Sequence, residues 1–142
     1  MRIDATTGSV SFITGTLRPE LVKSDFLATE LGLRARKVLE NEGWVQLNFE
    51  AEPGVGVTAL FKDDNLHQVF VTFQLPGDDD LAWTEPQELE RKARHDEWLF
   101  KELGAPPYKY SWGSVVSDLD LKDRVSDIIV TYSNSLARGA GS

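Results

Sequence analysis

Between Thr84 and Gly104 the chain spells out a helix with its start, its stop and its length, and most of what surrounds it alternates like strand. Thr84 with Gln87 three residues on has the form of a capping box, and Pro86 falls in a first turn that lacks internal N–H partners. Gly104 is a left-handed terminator, and Pro106-Pro107 blocks continuation. A single rod of about 84–103 amid strands must cover a sheet, so the expected class is α+β.

The strand signal is periodic. Val45, Leu47 and Phe49 alternate within Trp44–Glu50, and Val55, Val57, Ala59 and Phe61 do so in the next segment. His67–Leu75 carries Val69, Val71, Phe73 and Leu75 on one face, with Leu66 and Phe70 assigned to the other. Asn41-Glu42-Gly43, Glu52-Pro53-Gly54 and Lys62-Asp63-Asp64-Asn65 have turn chemistry. Strands are further expected at Ser9–Thr14, Arg36–Glu40, Tyr108–Leu119 and Val125–Tyr132, with a bulge at Gly113. A short helix of about 24–31 is expected, Ser24 capping it and Gly32 following it. The sum is a meandering antiparallel sheet of about six or seven strands, with both helices packed on it. Residues 1–132 form one domain in this reading, and 133–142 a small, polar, disordered tail.

Composition removes several functions. There is no cysteine among the 142 residues, which excludes disulfides, thiolate catalysis and zinc–cysteine sites. Fifteen basic against 23 acidic residues give a net charge of −8, contrary to the positive footprint a nucleic-acid binder needs. No apolar stretch approaches the ~20 residues that span a bilayer, and Met1–Gly8 carries no signal-peptide core. The expected location is cytoplasmic.

Few residues carry chemistry. At ~100° per residue, Leu89, Ala93, Phe100 and Leu103 form one stripe of the long helix, with Asp96 at its centre. Asp96 there is either an acid of raised pKa or a carboxylate held by hydrogen bonds. Trp98 projects from nearly the opposite side beside Arg91 and Arg94, and either anchors a protein partner or lies under the 76–83 loop. Tyr108, Tyr110 and Trp112 alternate on one face, as core or as a ligand platform. His67 and His95 lack a second ligand at helical spacing, and Asp63-Asp64-Asn65 and Asp78-Asp79-Asp80 are better explained as turns than as calcium loops. No nucleophile elbow, phosphate loop or dinucleotide fingerprint occurs. No metal or cofactor is expected.

Taken together, Gly15–Pro19, Phe26-Leu27, Leu31-Gly32, Trp44, Phe61-Lys62-Asp63, Leu66, Arg91-Lys92-Ala93, His95-Asp96-Glu97-Trp98-Leu99, Tyr110, Trp112-Gly113, Ser117 and Ile128–Tyr132 resemble a family of short uncharacterised bacterial proteins. That family is loosely similar to the small immunity or accessory proteins encoded near toxins. The resemblance spans nearly the whole chain and implies one soluble α+β domain, without supplying catalytic residues. The leading expectation is a non-catalytic protein-binding module using Trp98, Arg94 and Arg91. The alternative is a small-ligand binder with a pocket between long helix and sheet, walled by Asp96, Tyr110 and Trp112. A hydrolase or isomerase built on His95, Asp96 or Asp118 is a third.

Overall fold

A computed structural model describes residues 1–78 and 83–133. Seven antiparallel strands form the main sheet: β4 (Arg36–Asn41), β5 (Trp44–Glu52), β6 (Val55–Lys62), β7 (Asn65–Phe73), β8 (Tyr108–Tyr110), β9 (Gly113–Asp120) and β10 (Val125–Tyr132). Their order is β4-β5-β6-β7-β10-β9-β8. The long helix α3 (Glu85–Leu103) carries the chain from β7 to the far edge, from which the last three strands return. The tail expected at 133–142 lies outside the described residues apart from Ser133, and Asp79 and Asp80 lie outside them too.

One face of the sheet is the core. Val45, Leu47 and Phe49, Val57, Ala59 and Phe61, Val69 and Val71, and Ile128 and Val130 are all buried. Each stabilises the fold by about 1.5–3 kcal/mol where a large side chain leaves water. The short helices α1 (Lys23–Leu27) and α2 (Glu30–Arg34) cap one end, with Phe26 5.4 Å from Phe49 and 5.7 Å from Phe61 between ring centres. Turn chemistry sets the hairpins: Asp63 and Asp64 both take positive φ, at 48° and 70°, as a two-residue primed turn requires.

A second sheet covers the rest. β1 (Arg2–Ile3), β2 (Val10–Phe12) and β3 (Gly15–Leu17) place Ile3, Val10, Phe12 and Leu17 in the same core. It is tied to the C-terminal strands: the Trp112 indole donates to the Ala5 carbonyl at 2.9 Å, and the Tyr132 hydroxyl to the Gly8 carbonyl at 2.7 Å.

Four local expectations change. The helix expected at about 24–31 is two turns, with Thr29 rather than Ser24 as the side-chain cap, accepting from the Gly32 amide at 3.1 Å. Gly32 lies inside α2 because the Thr29 cap starts that helix, and it must be glycine there, since a Cβ would come within 1.9 Å of the Phe26 carbonyl. Leu66 belongs to the core: a register shift at Leu60/Phe61 moves the phase of β7, so Leu66 and His67 are both buried. Tyr108–Leu119 is not one strand but β8 and β9, joined at Ser111-Trp112. Gly113 needs its glycine because a Cβ would lie 1.8 Å from the Thr131 carbonyl.

The largest correction concerns α3. Its buried residues are Glu88, Arg91, His95 and Leu99, whereas Leu89, Ala93, Asp96 and Phe100 face outward. Polar bonds dock the helix. The His95 ring accepts from the Phe73 amide through Nε2 at 3.0 Å, so the neutral ring carries its proton on Nδ1, 3.3 Å from the Ser126 hydroxyl. Glu102 accepts from the Ile3 amide at 3.1 Å. The Arg91 guanidinium binds Asp78 through two nitrogens at 2.7 and 2.8 Å, Glu88 at 2.9 Å, and the Phe73 carbonyl. Glu88 also accepts from the Trp83 indole at 3.1 Å.

Candidate functional site

The outward stripe of α3 borders a groove, and the groove exists because β8 is cut short. Pro106 and Pro107 precede Tyr108, and proline has no N–H with which to continue a ladder. β8 therefore pairs only with Gly113–Val115, and among the described residues β9 from Val116 to Asp120 is paired on its β10 side alone. The Ser133 amide donates to the Trp112 carbonyl at 3.0 Å, which sets the parity of the β9–β10 ladder. Even-numbered β9 residues turn their backbone groups to β10, and Gly113 and Val115 turn theirs to β8. Continuing that alternation, Ser117 and Leu119 direct their N–H and C=O to the open edge.

Beside this edge lies a cavity of about 580 Å³ between α3 and the sheet. Phe100, Pro106, Pro107, Tyr108 and Val115 make its apolar walls, and Lys92, Asp96 and Ser117 supply polar groups. Phe100 is 61% exposed. Tyr108 is fixed from below by its hydroxyl, which donates to the Gly104 carbonyl at 2.9 Å.

Asp96 is ionised rather than poised as an acid. Burial alone would raise its pKa, but Lys92, with Nζ 2.8 Å from each carboxylate oxygen, outweighs burial and brings it below its ordinary value. The Ser117 hydroxyl helps hold it down, although its Oγ makes no hydrogen bond of ordinary geometry. Ser117 Oγ is the buried side-chain polar atom left unsatisfied among the described residues, and it lines the groove.

The other expected site residues are elsewhere. Tyr110 and Trp112 stack at 5.0 Å and 11° on each other, and Trp112 is buried against Gly8 and Tyr132, as core rather than as a ligand platform. Trp98 is half-buried, edge-on to Phe73 at 5.9 Å. Arg94 is exposed and pairs with Glu90 at 3.2 Å. Arg91 is buried within its own ion pairs, so it offers no free guanidinium to a partner. His95 is wholly buried with both ring nitrogens engaged, and burial first, then the Arg91 charge, lowers its pKa to about 4. No group of three or more potential metal ligands occurs among the described residues. Sequence reasoning named Asp96 and Phe100 on one helix stripe and Pro106-Pro107 as a helix stop, but not the open strand edge beside them. The signal was present in Pro106-Pro107 directly before a strand, where it ends pairing as well as the helix.

On the face of the sheet opposite α3, Asp127 sits in a polar depression of about 520 Å³ with Thr58, Phe70 and Thr72. Burial, then the Asp118 carboxylate beside it, raises its pKa to about 6, Glu88 adding to the rise and Arg91 opposing it. A folded pKa above the unfolded value means stability is complete below about pH 4 and declines as pH rises through 6. Asp127→Asn is therefore expected to stabilise the protein by about 1–2 kcal/mol at pH 7, a figure reduced for partial solvent screening. The gain should vanish near pH 4 in urea titrations, and a gain independent of pH would refute this assignment.

No protein-family model matches the chain, and neither a curated protein nor a solved structure does. No helix among the described residues is long and apolar enough to cross a membrane.

Proposed function

We propose that the protein is a non-catalytic protein-binding module, a cytoplasmic protein of the immunity or accessory type, whose docking surface is the α3–β9 groove. The observation that carries this reading is an apolar helix stripe that covers nothing among the described residues. Leu89 and Phe100 are 48% and 61% exposed on one side of α3, and the groove continues that surface to the open edge of β9. Apolar surface of this kind, rimmed by Lys92, Asp96 and Lys109, has the anatomy of an interface. The absence of cysteine suits a reducing compartment. The expected patch of Trp98, Arg94 and Arg91 is replaced by this one, because Arg91 is already saturated.

The test is affinity capture from the native host with three baits. Phe100→Glu changes a largely exposed side chain, so folding is expected to shift by no more than about 0.5 kcal/mol. A specific partner held by wild type and by Trp98→Ala, and lost with Phe100→Glu, is the expected outcome. Identical partner lists for all three would end the proposal. A second reading, a small apolar ligand with Asp96 at the wall, is favoured by one fact: the cavity lies between long helix and sheet. Thermal stabilisation by a metabolite, abolished in Phe100→Glu without loss of any protein partner, would select it.

A further inference from the structure

This inference rests on the protein-binding reading and specifies how the partner enters. We propose that an extended segment of another protein adds an eighth strand along β9, pairing with Ser117 and Leu119 and alternating basic with apolar side chains. Three observations lead there.

The first is the edge itself. A stretch with N–H and C=O groups directed outward is a template for strand addition, which yields affinity through main-chain hydrogen bonds. The chain's own β8 runs on this line until the proline pair stops it.

The second is the shape alongside. Side chains of an added strand alternate between faces. Those on the covered face enter the groove below Phe100 and beside Tyr108 and Pro107, which selects apolar residues. Ser117 Oγ, buried and unsatisfied, gains a hydrogen-bond partner from the newcomer there.

The third is charge. On the outer face Asp118 is directly opposite Asp127 across the β9–β10 ladder, with Asp120 next along β9. Neither Asp118 nor Asp127 has an ion-pair partner among the described residues. A cationic side chain beside Asp118 relieves that repulsion, and a chain of net charge −8 attracts such a segment from a distance. The same charges argue against a second copy. A two-fold antiparallel pairing that engages both Ser117 and Leu119 centres on Asp118 and sets it against its own copy, a destabilising like-charge pair.

The probe is a short acetylated peptide alternating lysine and valine, measured by fluorescence anisotropy against the full chain. Controls replace lysine by glutamate, or N-methylate every second amide in either register. Binding of the lysine peptide is expected, with slowed amide exchange at Ser117 and Leu119. N-methylation in the register that faces β9 is expected to weaken it about tenfold or more, and in the other register to leave it unchanged. Asp118→Asn, at an exposed position, should weaken it several-fold. Failure of the lysine peptide to bind, equal binding of the glutamate peptide, or indifference to N-methylation overturns strand addition. So does sedimentation showing that the chain dimerises through β9. If the peptide fails while Phe100→Glu still loses a native partner, the groove binds by another mode and the protein-binding reading stands. If both fail, both readings fall.

Discussion

Arg91→Ala is expected to cost about 3–5 kcal/mol, because removing one member of a buried ionic group strands the others. Glu88 and Asp78 would keep carboxylates with little solvent access, their side chains 5% and 19% exposed. Hydrogen bonds to Arg91 are the main reason the Asp78 pKa lies below its ordinary value. The loss also frees the Phe73 carbonyl and loosens residues 75–78, where Asp78 accepts from the Leu75 amide at 2.7 Å and from Gln87. For a domain of this size the melting temperature is expected to drop by roughly 10 °C. Arg94→Ala, three residues on and paired only at the surface, is expected to stay within about 0.5 kcal/mol. Chemical denaturation of the two variants decides the matter. A loss below about 1 kcal/mol for Arg91→Ala would mean that the ionic cluster does not anchor α3.

His95 gives the second large effect, and its sign depends on pH. Its pKa falls from 6.5 unfolded to about 4 folded, because burial and then the nearby Arg91 charge disfavour the imidazolium; the Phe73 amide bond likewise needs Nε2 unprotonated. The stability so gained is complete above pH 6.5 and is lost as pH falls from 6.5 towards 4. Its full size is about 3 kcal/mol. Burial lowers the His67 pKa too, so that ring contributes in the same direction. Asp127 titrates with the opposite sign over part of this range and masks some of the slope. Urea titrations from pH 4 to 7 are therefore best made in Asp127→Asn, where the acid-side decline should steepen. His95→Phe in that background is expected to flatten most of the slope. It should also cost about 2–3 kcal/mol at pH 7, for the stranded Phe73 amide. An unchanged slope would show that another group governs the acid limb.

These two residues also mark where sequence reading stopped. The ends of α3 were legible, since caps are local chemistry: the Thr84 hydroxyl accepts from the Gln87 amide at 3.3 Å, and Gly104 takes φ of 87°. The hairpins of β5, β6 and β7 were legible from alternation and turn residues, as was the antiparallel class. The buried face of α3 was not. Glu88, Arg91, His95 and Glu102 read as solvent-facing by polarity, and only the sheet, β1 and the 75–78 segment show why each is satisfied inside. The stripe of Leu89, Ala93 and Phe100 is truly apolar, but hydropathy cannot tell a face that meets the core from one left uncovered. Of the N-terminal sheet, β2 was legible within Ser9–Thr14, whereas β1 and β3, of two and three residues, are too short to establish a period. Of the site, Asp96 could be located by its place on the stripe. Ser117 could not, because an unsatisfied hydroxyl is a property of surroundings.

The bonds from Trp112 and Tyr132 to the carbonyls of Ala5 and Gly8 have a consequence for biosynthesis. A chain made from its N-terminus forward exposes its first strands long before their anchors exist. Local hairpins can close during translation, but the opening segment must wait for the last strand to emerge, leaving Ile3, Val10 and Phe12 without cover in the meantime. Completion is thus a late, long-range event, and β1 and β2 are the segments most open to chaperone capture or proteolysis until Trp112 and Tyr132 are in place.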